Sequence, residues 1–151
     1  MVLRTICFAI TVILSVSVAV SAQLEQVIFE PDNNGNYVRD DIEEYIFEID
    51  PKDPQLIKFL LAYVRIDQES IQNYLDKEIV STSSHTLFIM RKCLKSARPD
   101  YDSSIMDELF ARLRSTENIS RAYIKSLKNM GGAEIKIPSQ QEIKQVCKLY
   151  F

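Results

Sequence analysis

The sequence predicts an all-α fold, a single irregular or bundle-like domain of about five to seven helices with one disulfide. Apolar residues recur at three- and four-residue intervals along most of the chain, which is the period of a helix packed on one side. No run of alternating apolar and polar residues is long enough to build a sheet. Helix caps, of which Ser139 with Glu142 is the clearest, separate the periodic segments.

Residues 1–22 have the pattern of a secretory signal peptide. Arg4 precedes an apolar run over residues 6–20, and Val20, Ser21 and Ala22 place small residues where signal peptidase cleaves. An uncleaved membrane anchor is the alternative, but this run is shorter than the ~20 residues that span a bilayer. We therefore expect a secreted, extracellular protein in which residues 23–151 form one helical domain with no stable membrane span.

The charge balance argues against nucleic acid as a partner. The chain has 18 Lys and Arg against 21 Asp and Glu, with a net charge of −3. The acidic residues are concentrated in residues 23–53, whereas residues 54–151 are mildly basic. This asymmetry indicates either internal charge complementarity or a surface for a partner.

Two cysteines remain once Cys7 is removed with the signal peptide. In an oxidising compartment we expect Cys93 and Cys147 to form one disulfide, the alternatives being free thiols or an intermolecular bond. The bridge would close a loop of about 55 residues and contribute on the order of 4 kcal/mol through the entropy of the unfolded chain.

The first predicted helix covers residues 37–50. Val38, Ile42, Ile46 and Ile49 fall at helical spacing, and acidic residues lie near the N-terminal end, where the helix dipole favours them. Pro51 disfavours helical geometry in the residue before it, which ends the helix. Upstream, residues 24–29 fit a short helix or an extended arm equally well.

The central helix is predicted over residues 53–80, with Asp53 as the N-cap and Pro54 in the first turn. A continuous polar face supports one helix: Gln55, Lys58, Ala62, Arg65, Glu69, Gln72 and Asp76. The first half is apolar nearly all round and should be buried, whereas the second half should be more exposed. Asp67 and Gln68 interrupt the apolar face and are the alternative place for a break.

A turn is predicted at residues 81–84, followed by a helix over residues 84–97. A further helix is expected from about Ser104 to Leu113, then a break at residues 115–118, although heptad spacing also allows one continuous helix. The next helix ends at Gly131 and Gly132. The capping box at Ser139 starts the last helix, which carries Cys147 on its apolar side.

Residues 30–41 resemble the calcium loop of an EF-hand. The candidate ligands are oxygen-bearing side chains that fall near the required positions around Gly35: Glu30, Asp32, Asn34, Asn36 and Asp41. Three positions depart from the consensus, namely Glu at position one, Val at position nine and Asp at position twelve. The competing interpretation is an Asn- and Gly-rich surface turn.

Asn118, followed by Ile119 and Ser120, is an N-glycosylation acceptor, and a glycan there would keep that face out of an interface.

His85 is the only histidine, and at a helix start it is typical of a solvated neighbour of the cap. With both cysteines assigned to a disulfide, no nucleophile–base pair or zinc site is recognisable, so we expect neither an enzyme nor a cofactor or metal.

Six basic residues lie close together in the sequence: Arg91, Lys92, Lys95, Arg98, Arg112 and Arg114. They indicate a solvated face, or else a binding face for an acidic protein, glycan or anionic lipid.

We therefore expect a secreted, non-enzymatic interaction protein, such as an effector, signalling or humoral factor, that binds an extracellular protein partner through a helical surface. The alternative is an extracellular carrier of a small apolar ligand such as a lipid. A continuous cavity lined by apolar side chains would favour the carrier. A filled core with an exposed apolar patch would favour the interaction protein.

Overall fold

The computed structural model describes residues 27, 29, 31–99, 101, 103–133 and 136–151, and this part of the chain contains six helices and no strand. The all-α prediction is confirmed, as is the disulfide between Cys93 and Cys147. The predicted signal peptide lies outside the described residues. In chain order the helices are α1 Asp40–Ile49, α2 Pro54–Gln72, α3 Lys77–Ala97, α4 Ser103–Leu113, α5 Glu117–Asn129 and α6 Gln140–Tyr150.

The start of α2 follows its sequence signature. The Asp53 side chain accepts hydrogen bonds from the backbone amides of Gln55 and Leu56 at 3.1 and 3.0 Å, which satisfies donors that the first helical turn leaves open. Its second carboxylate oxygen accepts from Arg98 Nη2 at 2.7 Å. The cap therefore also ties the beginning of α2 to the end of α3.

The predicted helix over residues 53–80 is wrong in its second part. The helix α2 ends at Gln72, and α3 begins after Asp76, whose side chain accepts from the amides of Glu78 and Ile79. The Ser- and Thr-rich residues 81–84, predicted as a turn, lie inside α3. Asp76 fits the polar face of a continuous helix, but its carboxylate caps a new helix instead.

The two long helices, α2 and α3, form an antiparallel pair. Asp53 at the start of α2 contacts Arg98 after the end of α3, and Tyr63 in the middle of α2 contacts Arg91. Together with α1 and α4 they enclose the main core, whose largest side chains are Phe59, Ile42, Ile46, Leu56, Leu60, Met90, Leu109 and Leu113. This core is filled by interdigitating apolar side chains, as expected for a packed bundle.

A second apolar cluster lies between the C-terminal half of α2 and α5. Ile71 of α2 and Tyr74 of the following turn pack with Ile119 and Ala122 of α5, and Val27 and Phe29 from the N-terminal arm join them. The second part of the predicted helix, from Asp67 on, was expected to be more exposed, but residues 67–71 are mostly buried. The residues that follow α2, from Leu75 to Glu78, are exposed, with Leu75 at 56%.

The predicted break near residues 115–118 is confirmed. The helix α4 ends at Leu113, and Thr116 caps α5 by accepting from the amide of Ile119 at 3.4 Å. Ser120 Oγ reaches back to donate to the carbonyl oxygen of Arg114 at 2.6 Å. These bonds hold Arg114 at a defined place between the two helices.

The last helix, α6, starts with the predicted capping box of Ser139 and Glu142. None of its residues is fully buried. The disulfide holds α6 to α3. Two aromatic contacts add to it, because the rings of Tyr150 and Phe151 each lie 5.4 Å from the ring of Phe59, measured between centroids. Covalent attachment therefore replaces part of the burial that holds the other helices.

Candidate functional site

A groove of about 210 Å³ opens between α3 and α5, above α2 and the end of α4. We call it the α3–α5 groove. Its lining residues are Tyr63, Asp67, Ser70, Ser84, Leu87, Phe88, Arg91, Phe110, Arg114, Tyr123, Ser126, Leu127 and Met130. Four helices contribute to it, so it combines side chains that are far apart in the sequence.

The floor of the groove is a buried ion pair. Arg114 Nη2 lies 2.8 Å from each carboxylate oxygen of Asp67, and both side chains are less than one-tenth exposed. The hydrogen bond is directed to Oδ1, and Oδ2 gains the charge contact without a directed hydrogen. Arg114 Nε is buried and has no hydrogen-bond partner among the described residues. The floor is thus strongly polar beneath an apolar lining.

The guanidinium of Arg114 is also stacked between two aromatic rings. Its Cζ lies 3.4 Å from the centroid of Phe110 and 4.1 Å from that of Tyr123. The two rings meet edge to face, with centroids 5.3 Å apart and planes at 86°. Cation–π attraction to both rings stabilises the cation where water is excluded. The floor of the groove is therefore fixed by a cation, two rings and a carboxylate.

A second arginine lies on the opposite side of the groove. Arg91 Nε donates to Tyr63 Oη at 2.9 Å, and Arg91 itself is exposed. Tyr63 is 3% exposed, and this burial raises the pKa of its hydroxyl, with Arg91 acting in the opposite direction. Tyr63 thus stays a neutral hydroxyl that holds the Arg91 side chain against the groove.

Burial likewise raises the pKa of Asp67, while Arg114 opposes that rise. The short contact of both carboxylate oxygens with Arg114 keeps the pair ionic at neutral pH. A carboxylate at this depth is tolerated because a matched cation lies beside it. The pair has a structural role and is not a proton donor for chemistry, since Asp67 has no second titratable partner in hydrogen-bond contact.

The rim of the groove carries accessible apolar side chains. Phe88 of α3 and Leu127 of α5 are 41% and 44% exposed. Leu87 and Met130 are half-buried below them. An accessible apolar rim around a groove with fixed polar groups is typical of surfaces that bind another molecule.

The candidate calcium loop is closed by internal hydrogen bonds. The carboxylate of Asp32 accepts from the backbone amides of Gly35, Asn36 and Tyr37 at 2.9, 3.2 and 2.9 Å. The amide groups of Asn34 and Asn36 donate to the two oxygens of Glu43 at 2.7 and 2.8 Å. These four side chains therefore belong to one hydrogen-bonded cluster.

This cluster differs from the candidate set in the sequence. Asp41, placed at position twelve, instead pairs with Arg39, its Oδ2 accepting from Arg39 Nη2 at 2.9 Å. Glu30 lies outside the described residues. Tyr37 adopts a positive φ of 64°, a conformation usual for Gly or Asn. Among the described residues, no three His, Cys, Asp or Glu side chains come together in a way that could hold a metal.

The glycosylation acceptor Asn118 is exposed near the start of α5. It precedes Leu127 by nine residues, or two and a half helical turns, which places it on the opposite side of α5 from the groove rim. A glycan on Asn118 would leave the α3–α5 groove open.

His85 does not lie at a helix start, because α3 begins eight residues earlier. Its Nδ1 lies 3.1 Å from the carbonyl oxygen of Lys136, and its Nε2 lies 3.8 Å from Glu142 Oε1. His85 therefore contacts the segment that leads into α6.

The six basic residues singled out in the sequence do not form one face. Arg98 pairs with Asp53, Arg112 pairs with Glu108 at 2.7 Å, and Arg114 is buried against Asp67. Lys92 Nζ lies 5.3 Å from the ring centroid of Phe88. Arg91 and Arg114 are the two that reach the groove.

Sequence reasoning did not identify Asp67, Tyr63 or Tyr123 as site residues. The available signal was that Asp67 and Gln68 interrupt the apolar face of a helix predicted to be buried on most sides. Gln68 has its own structural role, since its side-chain amide donates to the carbonyl oxygen of Tyr37 at 3.0 Å.

No helix in the described part of the chain has the length and apolar character needed to cross a membrane.

In comparisons with known proteins, no family model, no curated protein and no solved structure matches this chain significantly.

Proposed function

We propose that this protein is a secreted, non-enzymatic interaction protein that binds a protein partner in the α3–α5 groove. The observation that carries the proposal is the combination of accessible Phe88 and Leu127 on the rim with the fixed ionic pair of Asp67 and Arg114 below. Apolar side chains at the rim supply contact area, and the polar groups supply orientation.

The filled main core supports this proposal over a lipid carrier. Apolar side chains from four helices occupy the centre of the domain, and the groove lies at the surface. Three charged residues line the groove, Asp67, Arg91 and Arg114, which is unfavourable for a ligand that is apolar throughout. A carrier would need the groove to deepen into the core.

The proposal is tested by site-specific photocrosslinking in the extracellular fluid of the source organism. A benzoylphenylalanine replaces Phe88 at the groove or, as a matched control, Phe47 on α1, which has a similar exposure of 45%. We expect a discrete protein crosslink from position 88 and none of the same mass from position 47.

Competition distinguishes specific binding in the groove from nonspecific adsorption. Unlabelled wild-type protein should suppress the crosslink, whereas the Leu127→Glu variant should compete poorly because it places a charge in the apolar rim. Equal products from positions 47 and 88, or equal competition by both proteins, would refute the proposal. A retained apolar molecule in native mass spectra of the purified protein, lost in Leu127→Glu, would favour the carrier instead.

A further inference from the structure

The charges in the α3–α5 groove do not cancel. Of the residues that line it, Asp67 is acidic and Arg91 and Arg114 are basic. Asp67 and Arg114 neutralise one another at 2.8 Å. The remaining charge is the cation of Arg91, which stands at the accessible side of the groove.

Arg91 is held in place with its outer nitrogens unused. Its Nε is committed to Tyr63 Oη at 2.9 Å, and within the described residues no hydrogen-bond partner is found for Nη1 or Nη2. Its Cζ lies 5.9 Å from the ring centroid of Tyr63, so the guanidinium is fixed beside the ring. Two parallel N–H groups on a planar fork match the two oxygens of a carboxylate.

Neighbouring charges leave this fork electropositive. Asp107 and Asp67 both attract Arg91 electrostatically, but neither forms a hydrogen bond with it: Asp107 is exposed, and Asp67 is paired with Arg114. Lys92, the next residue of α3, adds a positive charge near Phe88. An anion approaching between Phe88 and Arg91 therefore meets the cations of Arg91 and Lys92, while Asp107 is solvated and Asp67 is neutralised by Arg114.

We propose that the partner segment bound by the α3–α5 groove carries an apolar side chain next to a carboxylate, the first packing between Phe88 and Leu127 and the second pairing with Arg91. This inference rests on the proposed function and adds the chemistry of the partner to it. Phe88 precedes Arg91 by three residues on α3, so the two lie on the same face and can be reached by neighbouring groups of one segment.

Three small probes of similar size test this inference: 3-phenylpropanoate, 3-phenylpropanamide and 3-phenylpropylammonium. Each is titrated into the isotope-labelled protein, and binding is followed by the methyl signals of Leu87, Leu127 and Met130. We expect the carboxylate to bind about fivefold more tightly than the amide, since a charge-assisted pair at a partly exposed site is weaker than a buried one. The ammonium probe should bind most weakly.

The variant Arg91→Gln should remove the preference for the carboxylate, so that the carboxylate and the amide bind with similar affinity. Arg65→Gln is the matched control, because it removes the same charge from the exposed polar face of α2. The thermal midpoint of each variant shows that the fold is retained.

Equal binding of carboxylate and amide, or no binding of any probe, would overturn the inference. Neither result affects the photocrosslinking test at position 88. If that crosslink persists without a carboxylate preference, the groove binds a partner of different chemistry. If both tests fail, the proposed function fails with them.

Discussion

Arg114 Nη2 lies 2.8 Å from both carboxylate oxygens of Asp67, although 47 residues separate the two in sequence. The contact joins the C-terminal half of α2 to the turn between α4 and α5. Because both side chains are buried, either one left alone would be an uncompensated charge in a site with little water. The pair therefore fixes how α4 and α5 sit on α2.

The ion pair predicts a non-additive response to substitution. Asp67→Leu or Arg114→Met alone should each destabilise the protein by about 3–5 kcal/mol, because the partner charge stays buried. The double variant Asp67→Leu with Arg114→Met should recover much of that loss, since no charge remains. Urea unfolding at neutral pH measures all three. Additive losses in the double variant would show that the two side chains act independently.

The disulfide predicts a local loss of protection. Replacing Cys93 and Cys147 by Ser should lower the free energy of unfolding by about 4 kcal/mol, because the unfolded chain regains the freedom of the closed loop. Since α6 has no fully buried residue, its amides should exchange before those of the other helices. Hydrogen exchange by mass spectrometry checks this. Uniform loss of protection in α6 and α2 would contradict it.

Asp53 predicts a definite pH dependence. Hydrogen bonding to the amide of Leu56, followed by the bond to Arg98, holds the pKa of Asp53 below its usual value of 3.8. A carboxyl with a lowered folded pKa stabilises the fold above the unfolded pKa, and that contribution is lost as the pH falls through the folded pKa. The contribution should therefore be present at neutral pH and disappear below about pH 4.

Two variants separate the charge of Asp53 from its cap. Asp53→Ala should lose about 1 kcal/mol at neutral pH, because both functions are removed. Asp53→Asn keeps a capping oxygen and should lose less. In both, the unfolding free energy should depend less steeply on pH in the acid range. An unchanged acid slope in Asp53→Asn would mean that other carboxyl groups govern it.

The calcium hypothesis now concerns a different set of ligands. Counted from Asp32, Asn34 and Asn36 fall at positions three and five, and Glu43 falls at position twelve, where the EF-hand loop carries a bidentate glutamate. If the loop binds calcium, Glu43→Gln should abolish the rise in thermal midpoint caused by the ion, whereas Asp41→Asn should preserve it. A midpoint that neither calcium nor a chelator changes in the wild-type protein would leave the loop as a hydrogen-bonded turn.

Local signals predicted much of the helical architecture. The caps at Asp53 and Ser139 and the break before Thr116 involve residues within three or four positions of one another, so the sequence carries them directly. The cap at Asp76 was not predicted, because the local pattern around it also fits a continuous helix. It continues the polar stripe of α2, and only the backbone that follows shows its carboxylate capping α3.

The groove could not be predicted in the same way. The contacts between Asp67 and Arg114, and between Arg91 and Tyr63, depend on which helices pack together and at what offset. Helical period identifies the face on which a residue lies but not the helix that covers it. Thus Asp67 was visible as an interruption of an apolar face, without its partner.

The guanidinium of Arg114 is held by Asp67, by two aromatic rings and by the backbone carbonyl of Phe110, which accepts from its Nη1 at 3.2 Å. A groove floor that is immobilised in this way is preorganised. It loses its conformational freedom when the chain folds, so a partner that later enters the groove does not have to order it. The association rate is affected as well as the binding free energy, because association then requires no rearrangement of the groove floor.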